Sequence, residues 1–276
     1  MNGVVARTRP WHLCPRADLA AVRGVFTDID DTLTRDGDIE AAALLALQAL
    51  AAAGLPVVAI TGRPLGWSQP FARAWPVAAI VAENGAVAMV REGGKLQTEF
   101  AQNEATRAAN ARRLQAAAAR VLAAVPGASL ARDSPGRATD IAIDHSEFAH
   151  LDDAAIARVL ALMRSEGMWA TVSSIHINGW FGSHSKLTAA HWMLQRLYGR
   201  DLASELPHWV YVGDSPNDQL MFQHFPLSVG VANLQRFAAQ LQQWPTYITQ
   251  AERGAGFAEV AASLLAARLS AAAESC

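Results

Sequence analysis

The sequence predicts an α/β fold in which a parallel β-sheet core carries an inserted α+β unit. Apolar strands alternate with helical segments early in the chain, a hairpin and long helices interrupt this alternation, and it resumes toward the C-terminus. Near-continuous apolar strands are typical of parallel sheets that helices cover on both faces. We therefore expect a core formed by residues 1–85 and 184–276 and an inserted domain at residues 86–183.

The first part of the core alternates strands and helices. Leucines at helical spacings indicate the first long helix, and Gly54 follows at a position where glycine commonly ends one. The predicted strands are Gly24–Ile29, Pro56–Ile60 and Val77–Ala82, and the predicted helices are Ile39–Ala53 and Trp67–Trp75. Residues 1–23 are expected to form a loose leader, because Pro10 and Pro15 interrupt any apolar core of a signal peptide.

A change of pattern marks the inserted unit. Two strand-like segments flank Gly93-Gly94 as in an antiparallel hairpin, and an alanine-rich helix follows. The predicted elements are strands at 86–90 and 95–100, a helix at 103–125, a strand at 139–144, a helix at 151–165, and strands at 168–173 and 174–180.

The strand–helix alternation then returns. A helix at Lys186–Tyr198 has an apolar side and is closed by Gly199. The remaining predicted elements are a strand at 209–212, a helix that runs to about residue 222, strands at 227–231 and 246–249, and a final helix at 257–272.

Composition excludes several classes of protein. Hydrophobic residues make up 51% of the chain and charged residues 17%, which is typical of a globular protein. The formal net charge of −2 predicts no general attraction to nucleic acid. No apolar run approaches the ~20 residues that cross a bilayer. Cys14 and Cys276 are expected to be free thiols in a reducing compartment, so we expect a cytoplasmic protein. The oligomeric state is not predicted.

Polar residues follow three separate strands at the same end. Asp28 follows the first strand, Thr61 the second, and Asp214 the strand at 209–212. In an open parallel sheet, ligands bind at the carboxyl ends of the strands. We therefore expect these three residues to converge at one edge of the sheet.

The stretch Val25–Leu33 ends in three carboxylates within four residues, namely Asp28, Asp30 and Asp31. Carboxylates this close repel one another unless a cation lies among them. An acidic turn after a buried strand is the alternative interpretation of this stretch alone.

The segment Gly213–Asp218 is a second candidate cation site. Mg²⁺ favours one or two carboxylates, waters and a phosphate oxygen, and Asp28, Asp214 and a backbone carbonyl would meet that description. The alternative is structural, because Ser215 and Asp218 have the spacing of a helix capping pair.

Thr61 and Lys186 are candidates for binding a phosphoryl group. Thr61, followed by Gly62, offers a hydroxyl and a backbone N–H at a strand end. Lys186 begins a helix, where a cation opposes the helix dipole, so local helix stability does not explain it. Near Asp28 and Asp214 it would neutralise carboxylates and hold a phosphoryl oxygen. A turn threonine and a surface lysine are the alternatives.

Four motifs together resemble the haloacid dehalogenase superfamily of phosphohydrolases, in its sugar-phosphate phosphatase-like branch. The motifs are Asp28-Ile-Asp30-Asp31-Thr32-Leu33-Thr34, Ile60-Thr61-Gly62-Arg63, Lys186, and Gly213-Asp214-Ser215-Pro216-Asn217-Asp218. The resemblance implies a Rossmann-like parallel-sheet core, with the inserted α+β unit as a cap that confers substrate specificity. One departure is Asp31, which stands where glycine is common in the family.

The resemblance also implies a role for each motif residue. Asp28 would be the nucleophile that forms an aspartyl phosphate, and Asp30 the general acid and then the general base. The phosphoryl oxygens would be held by Thr61, Gly62 and Lys186. The Mg²⁺ ligands would come from Asp28, the Asp30 carbonyl and Asp214, with Asn217 and Asp218 among the ligands or directly behind them.

The sequence thus predicts a Mg²⁺-dependent phosphatase that acts on a small phosphate ester, with a sugar phosphate as the expected substrate. The candidate specificity residues are Arg63, His176 and Asn178, although a solvated outer face of the cap sheet would show the same pattern as the last two. Two alternatives remain: a hexose-phosphate phosphomutase that resembles phosphomannomutase, and a non-catalytic regulator that keeps the fold. The regulator would be expected to have lost at least one of Asp28, Asp30, Lys186 and Asp214, and all four are present.

Overall fold

The structure is a computed structural model that describes residues 8–274; residues 1–7 and 275–276, and with them Cys276, lie outside the described part. In chain order the strands are β1 (Arg9–Pro10), β2 (Gly24–Thr27), β3 (Thr34–Arg35), β4 (Asp38–Ile39), β5 (Val57–Ile60), β6 (Ala79–Ala82), β7 (Val87–Glu92), β8 (Lys95–Phe100), β9 (Ser129–Leu130), β10 (Asp140–Asp144), β11 (Trp169–Val172), β12 (His176–Trp180), β13 (Trp209–Gly213), β14 (Leu227–Gly230) and β15 (Tyr247–Ile248). The α-helices are α1 (Arg16–Ala20), α2 (Ala41–Ala52), α3 (Leu65–Ala74), α4 (Glu104–Ala124), α5 (Asp153–Ser165), α6 (Lys186–Tyr198), α7 (Gln219–His224) and α8 (Arg253–Glu274).

Within residues 8–274, nine strands form a large sheet in the order β1-β15-β14-β13-β2-β5-β6-β7-β8. Every neighbouring pair from β1 to β6 is parallel, and the pairs β6–β7 and β7–β8 are antiparallel. The predicted α/β fold with a parallel core is confirmed. Strand β2 lies between β13 and β5, so the ends of these three strands are neighbours.

A small antiparallel sheet, in the order β11-β12-β10-β9, lies in the middle of the chain. Residues 101–183, which contain it together with α4 and α5, are called the small-sheet unit below. The hairpin β7–β8 does not belong to this sheet, although we expected the inserted domain to begin at residue 86. It extends the large sheet because β7 pairs with β6 along its apolar half, Val87 to Val90. Sequence periodicity predicts the hairpin but not the sheet that it joins.

Apolar side chains bury both faces of the large sheet. One face packs against α2 and α8, with Leu47, Phe257 and Leu264 fully buried, and the other packs against α6 and α7. A third cluster, which includes Val121, Val159 and Ile177, forms the core of the small-sheet unit. Each buried side chain of this size contributes roughly 1.5–3 kcal/mol to folding.

The leader prediction is wrong for the described residues from 8 onward. Strand β1 pairs with β15 at the edge of the large sheet, and α1 follows it. Trp11 is 1% exposed and packs edge-on against Tyr247, with ring centroids 5.5 Å apart. Two-residue strands carry no periodicity, so the sequence gives no signal for β1.

Among residues 8–274, no helix combines the length and the apolar character that crossing a bilayer requires.

Candidate active site

The strand ends place three polar segments, two of them acidic, beside one another. Asp28 follows β2 and Asp214 follows β13, and the Asp28 N–H donates to the Val212 carbonyl at 2.8 Å. Thr61 follows β5 on the other side of β2. All three side chains are buried, so each needs a polar partner in this edge of the sheet.

Lys186 brings a cation to this edge. Its Nζ lies 2.7 Å from Asp28 Oδ1, 2.7 Å from Asp218 Oδ1 and 3.3 Å from Asn217 Oδ1. Ser185, which caps α6, fixes the start of the helix and therefore the position of the lysine. Burial disfavours the ammonium, but the charges of Asp218 and Asp28 outweigh burial and raise the pKa of Lys186 above its usual range. The lysine is therefore charged and is not a surface residue.

Asp28 lies in an environment of excess negative charge. Burial, with the charges of Asp218 and Asp30, raises the pKa of Asp28 to about 7, although Lys186 acts in the opposite direction. A carboxylate with this environment is stabilised by any further cation that binds next to it.

Asp214 has a buried oxygen without a partner. Its Oδ2 accepts hydrogen bonds from Asn233 Nδ2 and Arg236, both at 3.2 Å, whereas Oδ1 has no hydrogen-bond donor among the described residues. Burial, together with Asp28 and Asp218, raises the pKa of Asp214 well above its ordinary value. Carboxylate oxygens of Asp28, Asp214 and Asp218 lie within 4.8 Å of one another. Such a group fits a divalent cation with oxygen ligands.

Asp218 holds the loop that carries Asp214. Its Oδ2 accepts the backbone N–H groups of Asp214 at 2.9 Å and Ser215 at 3.1 Å. Its Oδ1 accepts from Lys186 and from the Tyr211 hydroxyl. A Cβ at Gly213 would clash with this carboxylate, so the loop requires glycine there. Both oxygens of Asp218 are thus engaged, which favours a place behind the metal ligands rather than among them.

Asp30 faces the same edge but has different partners. Arg63 Nε donates to its Oδ1 at 2.9 Å, and the Thr61 hydroxyl lies 3.4 Å from its Oδ2. The Thr61 N–H bonds to the Val81 carbonyl, and its hydroxyl accepts the Arg63 N–H at 3.0 Å, so the hydroxyl proton is the donor that Thr61 could offer a ligand. Asp30 is thus paired with Arg63, whereas Asp28 and Asp218 are paired with Lys186.

Asp31 adopts a left-handed conformation, with φ 54°, which explains why glycine would fit this position well. Its carboxylate is held by Arg236 and Arg253, each at 2.7 Å. Despite burial, these arginines lower the pKa of Asp31. Asn233 donates to the Asp31 carbonyl and to Asp214, so the same segment supports both acidic loops.

The predicted specificity residues are all engaged in contacts at the boundary with the small-sheet unit. Arg63 pairs with Glu147 at 2.9 Å, and the other Glu147 oxygen lies 2.8 Å from His176 Nε2. Asn178 donates to the Gly62 carbonyl at 3.3 Å and to Asp140 at 3.1 Å. Although burial opposes it, His176 and Arg63 lower the pKa of Glu147 to about 2.

A second set of contacts fastens the small-sheet unit to the large sheet. Arg137 donates to the Gly62 carbonyl at 3.0 Å and pairs with Asp140 at 2.9 Å. Glu83, which is fully buried, accepts backbone N–H groups from Ala138 at 2.9 Å and Thr139 at 2.6 Å. Burial and the charge of Asp140 raise the pKa of Glu83.

Sequence reasoning missed Glu83, Glu147 and Asn233 as residues of this region. Glu83 follows strand β6, so the strand-end rule that selected Asp28 and Thr61 also points to it. Glu147 follows β10 by three residues and has no comparable signal.

The space at the site is small. Asp28, Asp30, Asn178 and their neighbours enclose about 10 Å³, room for roughly one water. A cavity of about 170 Å³ lies beside Asp30 and Arg63, and it is lined further by the β3–β4 hairpin and by residues 146–148.

Comparison with known proteins identifies a family model that matches the part of the chain carrying three of the site residues. A family model described as haloacid dehalogenase-like hydrolase matches residues 25–116, which contain Asp28, Asp30 and Thr61. No curated protein sequence matches the chain. The predicted resemblance to this superfamily is confirmed, and with it the expectation of a hydrolase.

Solved structures of the same fold cover most of the chain. Thermoplasma acidophilum 0175 has a TM-score of 0.66 at 17% identity and covers 88% of this chain and 98% of its own. The sucrose-phosphatase of Synechocystis sp. PCC6803, in complex with sucrose and phosphate, has a TM-score of 0.63 at 13% identity, covering 88% and 98%. The C-terminal domain of C. albicans trehalose-6-phosphate phosphatase has a TM-score of 0.64 at 12% identity, covering 94% and 99%. At such identities the likeness shows the fold alone.

Proposed function

We propose that this haloacid dehalogenase-like hydrolase is a Mg²⁺-dependent phosphatase that hydrolyses a small phosphate ester through an aspartyl phosphate. The observation that carries the proposal is the contact of buried Lys186 with Asp28, at 2.7 Å, beside an Asp214 oxygen that has no partner among the described residues. A carboxylate nucleophile, an ammonium for phosphoryl oxygens and a cation site are thereby available at one strand edge.

The donor set supports Mg²⁺ as the ion. Asp28, Asp214 and the Asp30 carbonyl would be the protein ligands, and Asp218 and Asn217 would orient the loop and the lysine from behind. When bound, the ion would neutralise charge on the carboxylates and on the phosphoryl group.

The reaction has two steps. An Asp28 oxygen forms a bond to phosphorus as the bond from phosphorus to the ester oxygen breaks, and Asp30 gives its proton to that leaving oxygen. Asp30 then takes a proton from water, whose oxygen attacks phosphorus and releases phosphate from Asp28. Thr61 and Lys186 hold the phosphoryl oxygens in both steps, with the Gly62 backbone beside Thr61.

The cavity beside Asp30 supports a small, uncharged leaving group such as a sugar. Arg63 is the only cation among its lining residues, and Asp30 and Glu147 already neutralise it. An anionic leaving group would lose hydration there without gaining a counter-charge. The structures of a sucrose-phosphatase and a trehalose-6-phosphate phosphatase, which share the fold, also support a sugar phosphate.

We also propose that the small-sheet unit acts as the cap, with a boundary near residue 101 rather than 86. Its contacts with Gly62 and Glu83 support this role. The buried free thiol of Cys14 supports a reducing location, for which the cytoplasm remains our proposal.

The test of this function is Mg²⁺-dependent phosphate release from p-nitrophenyl phosphate. Asp28→Asn should abolish release while circular dichroism and thermal unfolding stay native-like. Gln69→Ala, a change on α3 at a residue that forms none of the contacts described above, serves as the matched control and should keep full activity. Undiminished turnover by Asp28→Asn would refute the mechanism.

A product assay with a hexose 1-phosphate separates hydrolysis from phosphoryl transfer within the substrate. A phosphatase releases free phosphate and hexose, whereas a phosphomutase returns the 6-phosphate with little free phosphate. Accumulation of the 6-phosphate would replace our proposal with the mutase.

A further inference from the structure

Arg63 touches a proposed catalytic residue and the small-sheet unit at the same time. Its Nε donates to Asp30 at 2.9 Å, its second terminal nitrogen lies 2.9 Å from Glu147, and its first lies 3.4 Å from Asp133. The side chain is only 5% exposed and lies over the Trp67 ring at 4.9 Å. One guanidinium thus joins three carboxylates, of which Asp30 belongs to the strand edge and two belong to the small-sheet unit.

Glu147 is itself fixed on its other side. Its second carboxylate oxygen lies 2.8 Å from His176 Nε2, on strand β12 of the small sheet. Asp133 is held by Arg137, which also bonds to the Gly62 carbonyl. The two partners that hold Arg63 are therefore positioned by the small sheet and by the contact of this unit with the loop after β5.

Asp30 and Arg63 line both the space of about 10 Å³ beside Asp28 and the adjoining cavity of about 170 Å³, so the contact that holds Arg63 bounds the site and separation of its two sides would widen the entrance. Separation would withdraw Glu147 and Asp133 from Arg63 and leave its guanidinium attached to Asp30 alone. A planar guanidinium held at three edges is fixed in orientation, whereas one held at a single edge can rotate with its long side chain.

We propose that Arg63 is a positioning residue that couples the seating of the small-sheet unit to the orientation of Asp30. The Asp30 carboxylate is fixed for proton transfer to the leaving oxygen only while Glu147 and Asp133 hold the far side of the guanidinium. This inference rests on the proposed function, because it assigns Arg63 a role through the proposed acid. Arg63 does not itself touch the reacting atoms in this role.

The coupling predicts that the rate lost in a variant depends on the leaving group of the phosphate ester. An alkoxide, such as that of glycerol 2-phosphate, needs a proton from Asp30 as it departs, whereas p-nitrophenolate departs without one. Loss of a positioned general acid lowers rates by roughly 10²–10⁴-fold for reactions that need it. Disorder of Asp30 should therefore slow phosphorylation of the enzyme by the alkyl ester far more than by the aryl ester.

The experiment measures single-turnover phosphorylation by both esters at saturating concentration, with Mg²⁺, for wild type, Arg63→Lys, Arg63→Gln, Glu147→Gln and the double variant Arg63→Gln/Glu147→Gln. Arg196→Gln, which breaks exposed ion pairs with Glu92 and Glu99, is the matched control and should change neither rate. We expect Arg63→Gln and Glu147→Gln each to slow the alkyl ester at least about tenfold more than the aryl ester. Arg63→Lys should recover only part of the loss, because lysine cannot hold several carboxylates in one plane.

The double variant distinguishes coupling from two independent defects. If Glu147 acts through Arg63, the double variant should be no slower than Arg63→Gln alone. Equal losses for both esters, additive losses in the double variant, or a change in KM without a change in the saturated rate would each overturn the inference. Absence of any phosphate release that depends on Asp28 in the wild-type protein would instead refute the proposed function itself. Should Arg63→Gln fail to fold, Glu147→Gln and Arg63→Lys still give the leaving-group comparison.

Discussion

Two buried charged regions border the same small space at the strand ends yet differ in how their carboxylate oxygens are partnered. We call Asp28, Asp214, Asp218 and Lys186 the carboxylate cluster. Its ammonium contacts Asp28 and Asp218, whereas Asp214 contacts Arg236 and keeps one oxygen without a partner among the described residues. The unit contact, formed by Arg63, Arg137 and Glu83 with Asp133, Asp140 and Glu147, pairs each arginine with carboxylates from the small-sheet unit.

The difference indicates what each region is for. A buried charge without a partner costs free energy, so a group with excess negative charge is stable only when a ligand supplies the missing cation. A group whose carboxylate oxygens all have donors, as in the unit contact, needs no ligand and can instead fix two units relative to each other. We therefore expect metal to change the properties of the carboxylate cluster strongly and those of the unit contact very little.

The largest effect should come from the ammonium of the carboxylate cluster. Lys186→Met leaves Asp28 and Asp218 buried without their cation, and removal of one partner of a buried ion pair costs about 3–5 kcal/mol. Urea unfolding in EDTA should show this loss. Added Mg²⁺ should recover part of it, because the ion replaces some of the missing positive charge.

Arg196→Gln is the control for Lys186→Met. It removes exposed ion pairs with Glu92 and Glu99, which water and salt already screen, so no measurable loss is expected. If the lysine variant were as stable as the control in EDTA, the carboxylates would not depend on Lys186, and the comparison of the two regions would fail.

Sequence patterns predicted the large elements of the fold closely. Helix α6 occupies the predicted range Lys186–Tyr198, because its apolar side, its capping serine and Gly199 are all local signals. The hairpin β7–β8 was predicted as a hairpin, but its pairing with β6 in the large sheet was not predicted, since that pairing depends on contacts that no local pattern encodes. The short strands β1 and β9 were missed for lack of periodicity.

The two regions differ in how far sequence could predict them. The carboxylate cluster follows from strand ends in a parallel sheet, which bring Asp28 and Asp214 to one edge wherever they occur in the chain. Lys186 needed the resemblance to a known family as well. The unit contact depends on how a separate sheet lies against Gly62 and Glu83, so residues such as Glu147 could not be chosen from spacing.

Protonation of a buried histidine should give the next largest change in the free energy of unfolding. His184 lies in the connection from the small-sheet unit to α6; both of its ring nitrogens lack partners among the described residues. Burial lowers the pKa of His184 to about 4. An unfolded histidine titrates near 6.5, so below that pH the unfolded state binds the proton more tightly and stability falls, with the loss complete below about pH 4.

His184→Phe should remove this dependence and keep the ring packed against Trp180. Between pH 7.5 and pH 5, wild type should lose about 2 kcal/mol of unfolding free energy more than the variant. Parallel urea titrations at the two pH values measure the difference. Identical pH dependence in both proteins would show that His184 does not titrate on unfolding in this range.

Replacement of Asp214, the acid with the unpartnered oxygen, should change the free energy of unfolding less. The sign of that change should depend on whether Mg²⁺ is present. Asp214→Asn removes a buried charge but keeps an oxygen for Asn233 and Arg236. In EDTA the variant should be more stable than wild type by about 1 kcal/mol or more, the cost of an unsatisfied buried acceptor. Wild type should gain stability on titration with Mg²⁺, and the variant should gain little.

Asn233→Ala provides the complementary control for Asp214. It removes a hydrogen-bond donor but no carboxylate, so the Mg²⁺-dependent gain should persist, although it sets in at higher concentration. Loss of the gain in Asn233→Ala but not in Asp214→Asn would show that Asp214 is not a ligand of the ion.

The smallest change in stability should come from a glycine in the unit contact region. A Cβ on Gly66, in α3, would lie 3.0 Å from the Gly136 Cα, so Gly66→Ala must displace the turn at 134–136 by a few tenths of an ångström. Alanine is favoured over glycine in a helix by up to about 1 kcal/mol, which offsets much of this strain, and the unfolding free energy should change by less than about 1 kcal/mol.

The displacement should nevertheless be visible locally, because that turn leads directly to the amides of Ala138 and Thr139, which donate to Glu83. In Gly66→Ala we expect faster hydrogen exchange in a peptide that spans residues 134–140 and unchanged exchange in one that spans 186–198. Gln69→Ala, on the same helix, is the control and should alter neither. Faster exchange in both peptides would mean that the unit contact and the carboxylate cluster open together and are not independent of each other.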